Sequence, residues 1–133
     1  MPNIELEEYK EINNNVRFYG NMRFAQLTLF SAIMAGLLTI IFNTQPPITA
    51  LLKTVLEFGG ILLAIILLIM EERSTGYATK FINRLQELEK TLGFNQWQGR
   101  RIGTKAIISA TNAVRFLYVA VIIFWISSLL FKF

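Results

Sequence analysis

The chain has 133 residues, enough for one domain, and 53% of them are hydrophobic. With a mean hydropathy of +0.46, this composition favours a membrane protein over a soluble one. The sequence contains no Cys, no His and no Asp, which excludes disulfides, the usual zinc ligands and nucleophile systems built on His or Cys. The net charge of +4 is interpreted as a topology and lipid-attraction signal, so we expect no nucleic-acid partner.

Two stretches outside the apolar runs have the pattern of amphipathic helices, residues 1–22 and residues 71–93. The first has an apolar stripe of Tyr9, Ile12, Val16 and Tyr19. The second has a seam of Ala78, Phe81, Leu85, Leu88 and Leu92, and Gly93 is a fitting helix end. Each is too short to be stable alone, so we expect the two to pack together as a cytoplasmic layer; the alternative for the first is a helix on the membrane surface. The weak helix formers Asn13–Asn15 and Gly20 predict a kink or fraying in it.

Residues 24–42 and 50–70 are predicted to be two transmembrane helices joined by an outer turn at 43–47. The prolines of that turn end the first helix and allow the second to begin directly after them. Small residues that allow close helix packing are candidates for contacts in lipid: Ala32, Gly36, Gly60 and Ala64. Polar residues of the first span are Gln26, Thr28, Ser31 and Thr39.

Glu57 lies within the second span, because the uncharged run that follows it is too short to cross a bilayer alone. Lys53 precedes it by four residues on the same helix face, so the two side chains can reach each other. The first interpretation is therefore a structural Lys53–Glu57 pair at the outer interface. A pore- or site-lining role and a contact with another span are the alternatives.

Residues 94–104 form a basic loop in which Trp97 stands near Arg100 and Arg101, with Lys105 just beyond. An amphipathic ring beside cations is typical of a lipid-interface anchor. Salt bridges to the acidic residues of the first helix, or an anionic ligand, are the alternatives. The glycine spacing does not match a phosphate-binding loop.

Residues 106–131 are predicted to be a third transmembrane helix, in which Arg115 extends a slightly short apolar run by snorkelling to the interface. The alternative is a final helix that lies partly in the interface. Cations are concentrated in the N-terminal arm and in the stretch between the second and third spans. This asymmetry predicts a cytoplasmic N-terminus and an outer C-terminus. The fold class is thus an all-α membrane bundle of three transmembrane helices with a cytoplasmic helical layer.

No residue set supports ordinary catalysis, so the chain is predicted not to be an enzyme and to need no cofactor or metal. The first functional hypothesis is a homo-oligomeric channel or pore in the cell membrane. Its candidate polar positions are Glu57, Lys53, Gln26, Thr28, Ser31, Asn112 and Arg115, together with a cytoplasmic ring of Arg100, Arg101 and Lys105. The second hypothesis is a non-conducting scaffold whose cytoplasmic seam recruits a soluble partner.

The order of elements over the first ninety residues or so is a helical arm, a hairpin of two spans and a long cytoplasmic helix. This layout resembles the SLATT-type small membrane effectors of bacteria. The stretch Arg17-Phe18-Tyr19-Gly20-Asn21-Met22-Arg23-Phe24 is also similar to small bacterial inner-membrane proteins. The resemblance implies a pore-forming role in nucleotide-triggered antiphage immunity and a bacterial inner-membrane location. The third apolar segment departs from the two-span pattern.

Overall fold

A computed structural model describes residues 4–43, 45–99 and 109–131, and this part of the chain folds into three α-helices without a β-strand. Helix α1 is Ile4–Asn43, α2 is Ala50–Leu92 and α3 is Ala110–Phe131. All three are long and apolar enough to cross a membrane. The predicted all-α class is confirmed.

The predicted arm at 1–22 and the predicted first span at 24–42 belong to one uninterrupted helix, α1. Neither Asn13–Asn15 nor Gly20 interrupts it, although both are weak helix formers. Their penalty is about 1 kcal/mol or less per residue, whereas most helical stability in proteins comes from packing along an apolar face. The turn begins only after Asn43, one residue later than predicted.

Helix α2 is delimited by a capping residue at each end. Thr49 Oγ1 accepts a hydrogen bond from the N–H of Leu52 at 3.3 Å, which satisfies a free donor of the first turn. Gly93 ends the helix in the left-handed region at φ +73°, and its N–H donates to the Glu89 carbonyl at 2.9 Å. Between these caps the helix carries an apolar half and a charged half without a break.

Helix α3 begins later than the predicted start at residue 106. Ser109 is not helical, and its Oγ accepts a hydrogen bond from the N–H of Asn112 at 3.1 Å, so it is the N-cap of a helix that starts at Ala110. Residues 106–108 lie outside the described part of the chain.

The helices form two layers. In the apolar layer, residues 24–43, 50–70 and 116–131 enclose a core whose buried residues include Phe30, Met34, Ala64, Leu67, Tyr118 and Trp125. In the arm layer, residues 4–22 of α1 pack on residues 71–92 of α2 around Tyr9, Leu85 and Leu88. Because α1 and α2 run through both layers, they connect the two cores rigidly.

Candidate functional site

Charged residues connect the three helices at the level where the two layers meet. Arg23 of α1 makes a two-pronged contact with Glu71 of α2, with Nη2–Oε1 at 2.6 Å and Nε–Oε2 at 3.1 Å. The same guanidinium donates to Thr75 Oγ1 at 2.9 Å and to Thr111 Oγ of α3 at 3.4 Å. Glu71 is only 1% exposed, so its charge depends on Arg23 for compensation.

A second ion pair stands beside the first. Arg115 of α3 binds Glu72, donating from Nη2 to Oε2 at 2.6 Å, and its Nη1 donates to Asn112 Oδ1 at 3.4 Å. We call Arg23, Glu71, Glu72 and Arg115 the charged belt. The charged belt holds the three apolar segments together at the ends that are nearest the arm layer.

Trp125 occupies the centre of the apolar layer, where it is 1% exposed. Its indole lies against Gly60, where a Cβ atom would come within 2.8 Å of Nε1. The indole N–H donates to the Met34 sulfur at 3.3 Å. The packing candidates Gly60 and Ala64 therefore lie inside the chain, at the contact between α2 and α3.

Glu57 is buried in the half of the apolar layer that is farther from the charged belt. Its hydrogen-bond partner is Ser128 of α3, not Lys53. Ser128 Oγ donates to Glu57 Oε1 at 2.6 Å. Lys53 instead lies over the Phe42 ring, 5.5 Å from the centroid. The expected Lys53–Glu57 pair is therefore wrong, and the alternative of a contact with another span describes the geometry. Glu57 faces α3 inside the bundle, whereas the Lys53 side chain, one turn earlier on the same face of α2, extends to the Phe42 ring of α1.

One face of α1 is left uncovered throughout the apolar layer. The face that packs on α2 and α3 carries large side chains such as Phe30 and Met34. The exposed surface of α1 includes large residues such as Phe24 and Leu29, and between them small residues recur four and three positions apart. We call these the small-residue seam: Asn21, Ala25, Thr28, Ala32, Ala35 and Thr39. The Thr28 and Thr39 hydroxyls donate to carbonyls of their own helix at 3.0 and 2.9 Å, which leaves the seam flat.

The candidate polar and packing residues of the first span are distributed over this outer surface. Ala32 and Gly36 are both exposed, and a Cβ atom added at Gly36 would meet nothing within 4 Å in the described part of the chain. Ser31 is also exposed, and Gln26 is half-buried. Within one chain they do not converge on Glu57 or on a common cavity.

In the arm layer the predicted seam residues face one another. Tyr9, Leu85 and Leu88 are buried, with Ile12, Val16 and Leu92 packed on them. Tyr19 lies 5.8 Å from the Phe81 ring, and Ala78 is half-buried beside it. The seam is thus covered by the chain itself.

Glu89 closes the far end of the arm layer, where it is fully buried. It accepts hydrogen bonds from the Tyr9 hydroxyl at 2.9 Å and from the N–H groups of Gln96, Trp97 and Gln98 at 3.0–3.1 Å. Burial, and then the hydrogen bond to this carboxylate, raises the pKa of Tyr9 above its ordinary value.

Trp97 belongs to this end of the molecule. It packs against the Tyr9–Leu85–Leu88 cluster beside Glu89. Glu89 follows Glu71 by eighteen helical residues, so Trp97 lies about 27 Å from the charged belt. The Glu89 carboxylate binds the backbone N–H groups of residues 96–98 and so keeps Trp97 against the arm layer, while the lipid contact expected at Trp97 stays a prediction.

The basic residues Arg100, Arg101 and Lys105 lie outside the described part of the chain. Of the acidic residues expected to pair with them, Glu8 is bonded to Arg84 of α2, with Nε–Oε1 at 2.8 Å and Nη2–Oε2 at 3.2 Å. The hydrogen bond from Arg84 holds the pKa of Glu8 below its usual value.

Sequence reasoning missed the charged belt and Ser128. A signal for the belt was available, because Arg23, Glu71 and Arg115 each stand directly at the inner end of an apolar run. The Ser128 contact had no such signal, since a serine in an apolar helix is common and its rotational position is unknown from sequence. Among the described residues, no group of three or more acidic side chains is arranged to hold a metal ion.

The fold and these contacts define the class: an all-helical protein with three helices of membrane-spanning length and composition, joined by the two ion pairs of the charged belt. Comparison with known proteins adds no relative to this description, since no family model, no curated protein and no solved structure matches the chain.

Proposed function

We propose that the protein is a three-span integral membrane protein that assembles with copies of itself into a pore lined by α1. The exposed surface of the apolar layer supports the membrane location. Only 11% of the most apolar stretch of α1, and 22% of those of α2 and α3, is buried. Apolar surface of this extent is unfavourable in water and is solvated by lipid.

The level of the charged belt supports the same placement. Counted from the belt, α1 continues for about 30 Å to Asn43, and α2 extends back about 31 Å to Ala50, at 1.5 Å per residue. This length equals the hydrocarbon thickness of a bilayer. The cation asymmetry favours a cytoplasmic arm layer and an outer C-terminus, and the SLATT-type layout favours a bacterial inner membrane.

The small-residue seam is the observation that carries the assembly. A lipid-facing helix gains nothing from small residues, whereas small residues allow two helix backbones to approach closely in a membrane. The four-and-three spacing keeps the seam on one side of a left-handed supercoil, which is the geometry of a ring of parallel helices. Another copy of α1 carries the same spacing of small residues, so its seam can pack along the whole length of this one.

A ring of α1 helices would also place polar groups along its axis. Asn14, Asn21 and Thr28 follow one another at intervals of seven residues, and all three are exposed. They lie along the row of the small-residue seam that would face the axis, while the other row, Ala25, Ala32 and Thr39, would contact the neighbouring helix. Side chains of this kind line pores that conduct hydrated or partly hydrated ions. A scaffold that recruits a partner through the cytoplasmic seam has less support, since Tyr9 and Leu85 are covered within the chain.

Conductance of the purified protein in planar bilayers, combined with thiol labelling, tests the proposal. The chain has no cysteine, so an introduced one is unique. We expect a water-soluble cationic thiol reagent to reduce the current through Thr28→Cys and to leave Leu62→Cys, at an exposed apolar position of α2, unaffected. A verified oligomer that passes no ions would refute the pore.

Oligomeric state separates assembly from conduction. Ala32→Leu fills the seam and is expected to dissociate the oligomer in native mass spectrometry. Ala120→Leu makes the same change on an exposed position of α3 and is expected to leave the oligomer intact. If the wild-type protein is a monomer both in detergent and in lipid nanodiscs, the proposed assembly and the proposed pore are both refuted.

A further inference from the structure

A cavity of about 320 Å³ opens at the end of the apolar layer opposite the charged belt. It is lined by Ala50, Lys53, Thr54 and Glu57 of α2 and by Ser128 and Leu129 of α3. Its volume lies at the lower end of the range for small-ligand sites, which is about 300–1,000 Å³. Neither the charged belt nor the small-residue seam contributes to it.

The inner end of the cavity carries an incompletely satisfied carboxylate. Glu57 is 2% exposed, and Ser128 binds its Oε1. Its Oε2 is hydrogen-bonded by none of the described residues and is not fully enclosed by protein, so it is open to the cavity. A carboxylate buried among apolar helices needs further donors or a cation. The nearest cation on its own helix, Lys53, is directed toward the Phe42 ring and makes no ion pair with it.

The mouth of the cavity has the opposite electrostatic character. Lys53 stands there together with Ala50, the first residue of α2, where the helix dipole and free backbone N–H groups favour an anion. Lys53 and Glu57 are one helical turn apart, about 6 Å along the axis. The inner end of the cavity therefore favours a cation, at Glu57, and the mouth favours an anion, at Lys53. A two-carbon link is long enough to join a cation and an anion bound at these two places.

We propose that this cavity binds a small zwitterion with a primary ammonium and a phosphate, which is the chemistry of a phosphoethanolamine group. The ammonium donates to Glu57 Oε2 and compensates its charge, while the phosphate lies between Lys53 and the first turn of α2. A phosphatidylethanolamine headgroup and a soluble phosphoethanolamine carry the same group. The lipid source depends on the membrane placement proposed above, but neither source depends on the pore.

Native mass spectrometry of the full chain with equimolar lipids tests this proposal. We expect phosphatidylethanolamine to bind about tenfold more strongly than phosphatidylcholine or phosphatidylglycerol, because choline has no N–H donor and glycerol has no cation. Equal retention of the three lipids by the wild-type protein overturns the proposal, and this comparison needs no variant. Since the readout is binding, its failure is separate from a failure to conduct.

Variants test whether the preference for phosphatidylethanolamine arises in the cavity. Glu57→Gln and Lys53→Gln are each expected to weaken phosphatidylethanolamine binding to the level of the other two lipids. Glu87→Gln, at an exposed position in the arm layer, is the matched control and keeps the preference. A preference that survives in a folded Glu57→Gln protein contradicts the site. Displacement of the bound lipid by soluble glycerophosphoethanolamine identifies the site as open to free zwitterions, and resistance to displacement identifies it as a lipid site.

Discussion

The charged belt makes the sharpest stability prediction, because its two glutamates are adjacent in sequence and differ in burial. Glu71 is 1% exposed and paired with Arg23, whereas the Glu72 side chain is 49% exposed and paired with Arg115. Glu71→Gln leaves the guanidinium of Arg23 without its counter-charge inside the bundle. Removal of one partner of a buried pair costs about 3–5 kcal/mol, and since Arg23 is itself 25% exposed we expect about 3 kcal/mol. Glu72→Gln is expected to cost about 1 kcal/mol or less.

The measurement is reversible unfolding in mixed micelles, followed by helical circular dichroism as the denaturing detergent is increased. The double variant Arg23→Gln with Glu71→Gln should be more stable than the sum of the single effects predicts, by about 2 kcal/mol, because it leaves no uncompensated charge. Equal losses for Glu71→Gln and Glu72→Gln would refute the reasoning, since burial would then have no effect on the cost of breaking the pair.

Three further predictions address the two cores. Gly60→Leu should destabilise the bundle strongly because the added atoms collide with Trp125, whereas Gly59→Leu next to it enters open space and should be tolerated; equal unfolding midpoints would contradict the packing. Leu85→Ala should lower the free energy of unfolding by about 2–5 kcal/mol, since Leu85 is fully buried. The pKa of the Tyr9 hydroxyl is raised from 10 in the folded protein. Its contribution to the free energy of unfolding is therefore complete below pH 10 and is lost as the pH rises through the higher folded-state pKa. Unfolding measured at pH 8 and above pH 10 should therefore show a loss in the wild type that Tyr9→Phe does not share.

Local patterns in the sequence were sufficient for the helices. The apolar runs, the proline turn and Gly93 predicted where each helix lies to within a few residues, because helix formation and helix ends depend on neighbours in the chain. The seams at Tyr9 and Leu85 were likewise visible as a spacing of three and four. Where the pattern was misleading, as at Gly20, a weak local preference was outweighed by packing along the whole helix.

Partners between helices were decided by the tertiary structure. Successive residues of a helix differ by about 100° in direction, so the rotation of α2 relative to α3 determines whether Glu57 meets Ser128. The sequence alone could place Glu57 near the start of the second apolar segment, but the identity of its partner required the orientation of α3. Trp97 is the same case at the other end of the molecule. The buried carboxylate of Glu89 binds the backbone around it and holds it in the arm layer, a contact that the sequence did not predict.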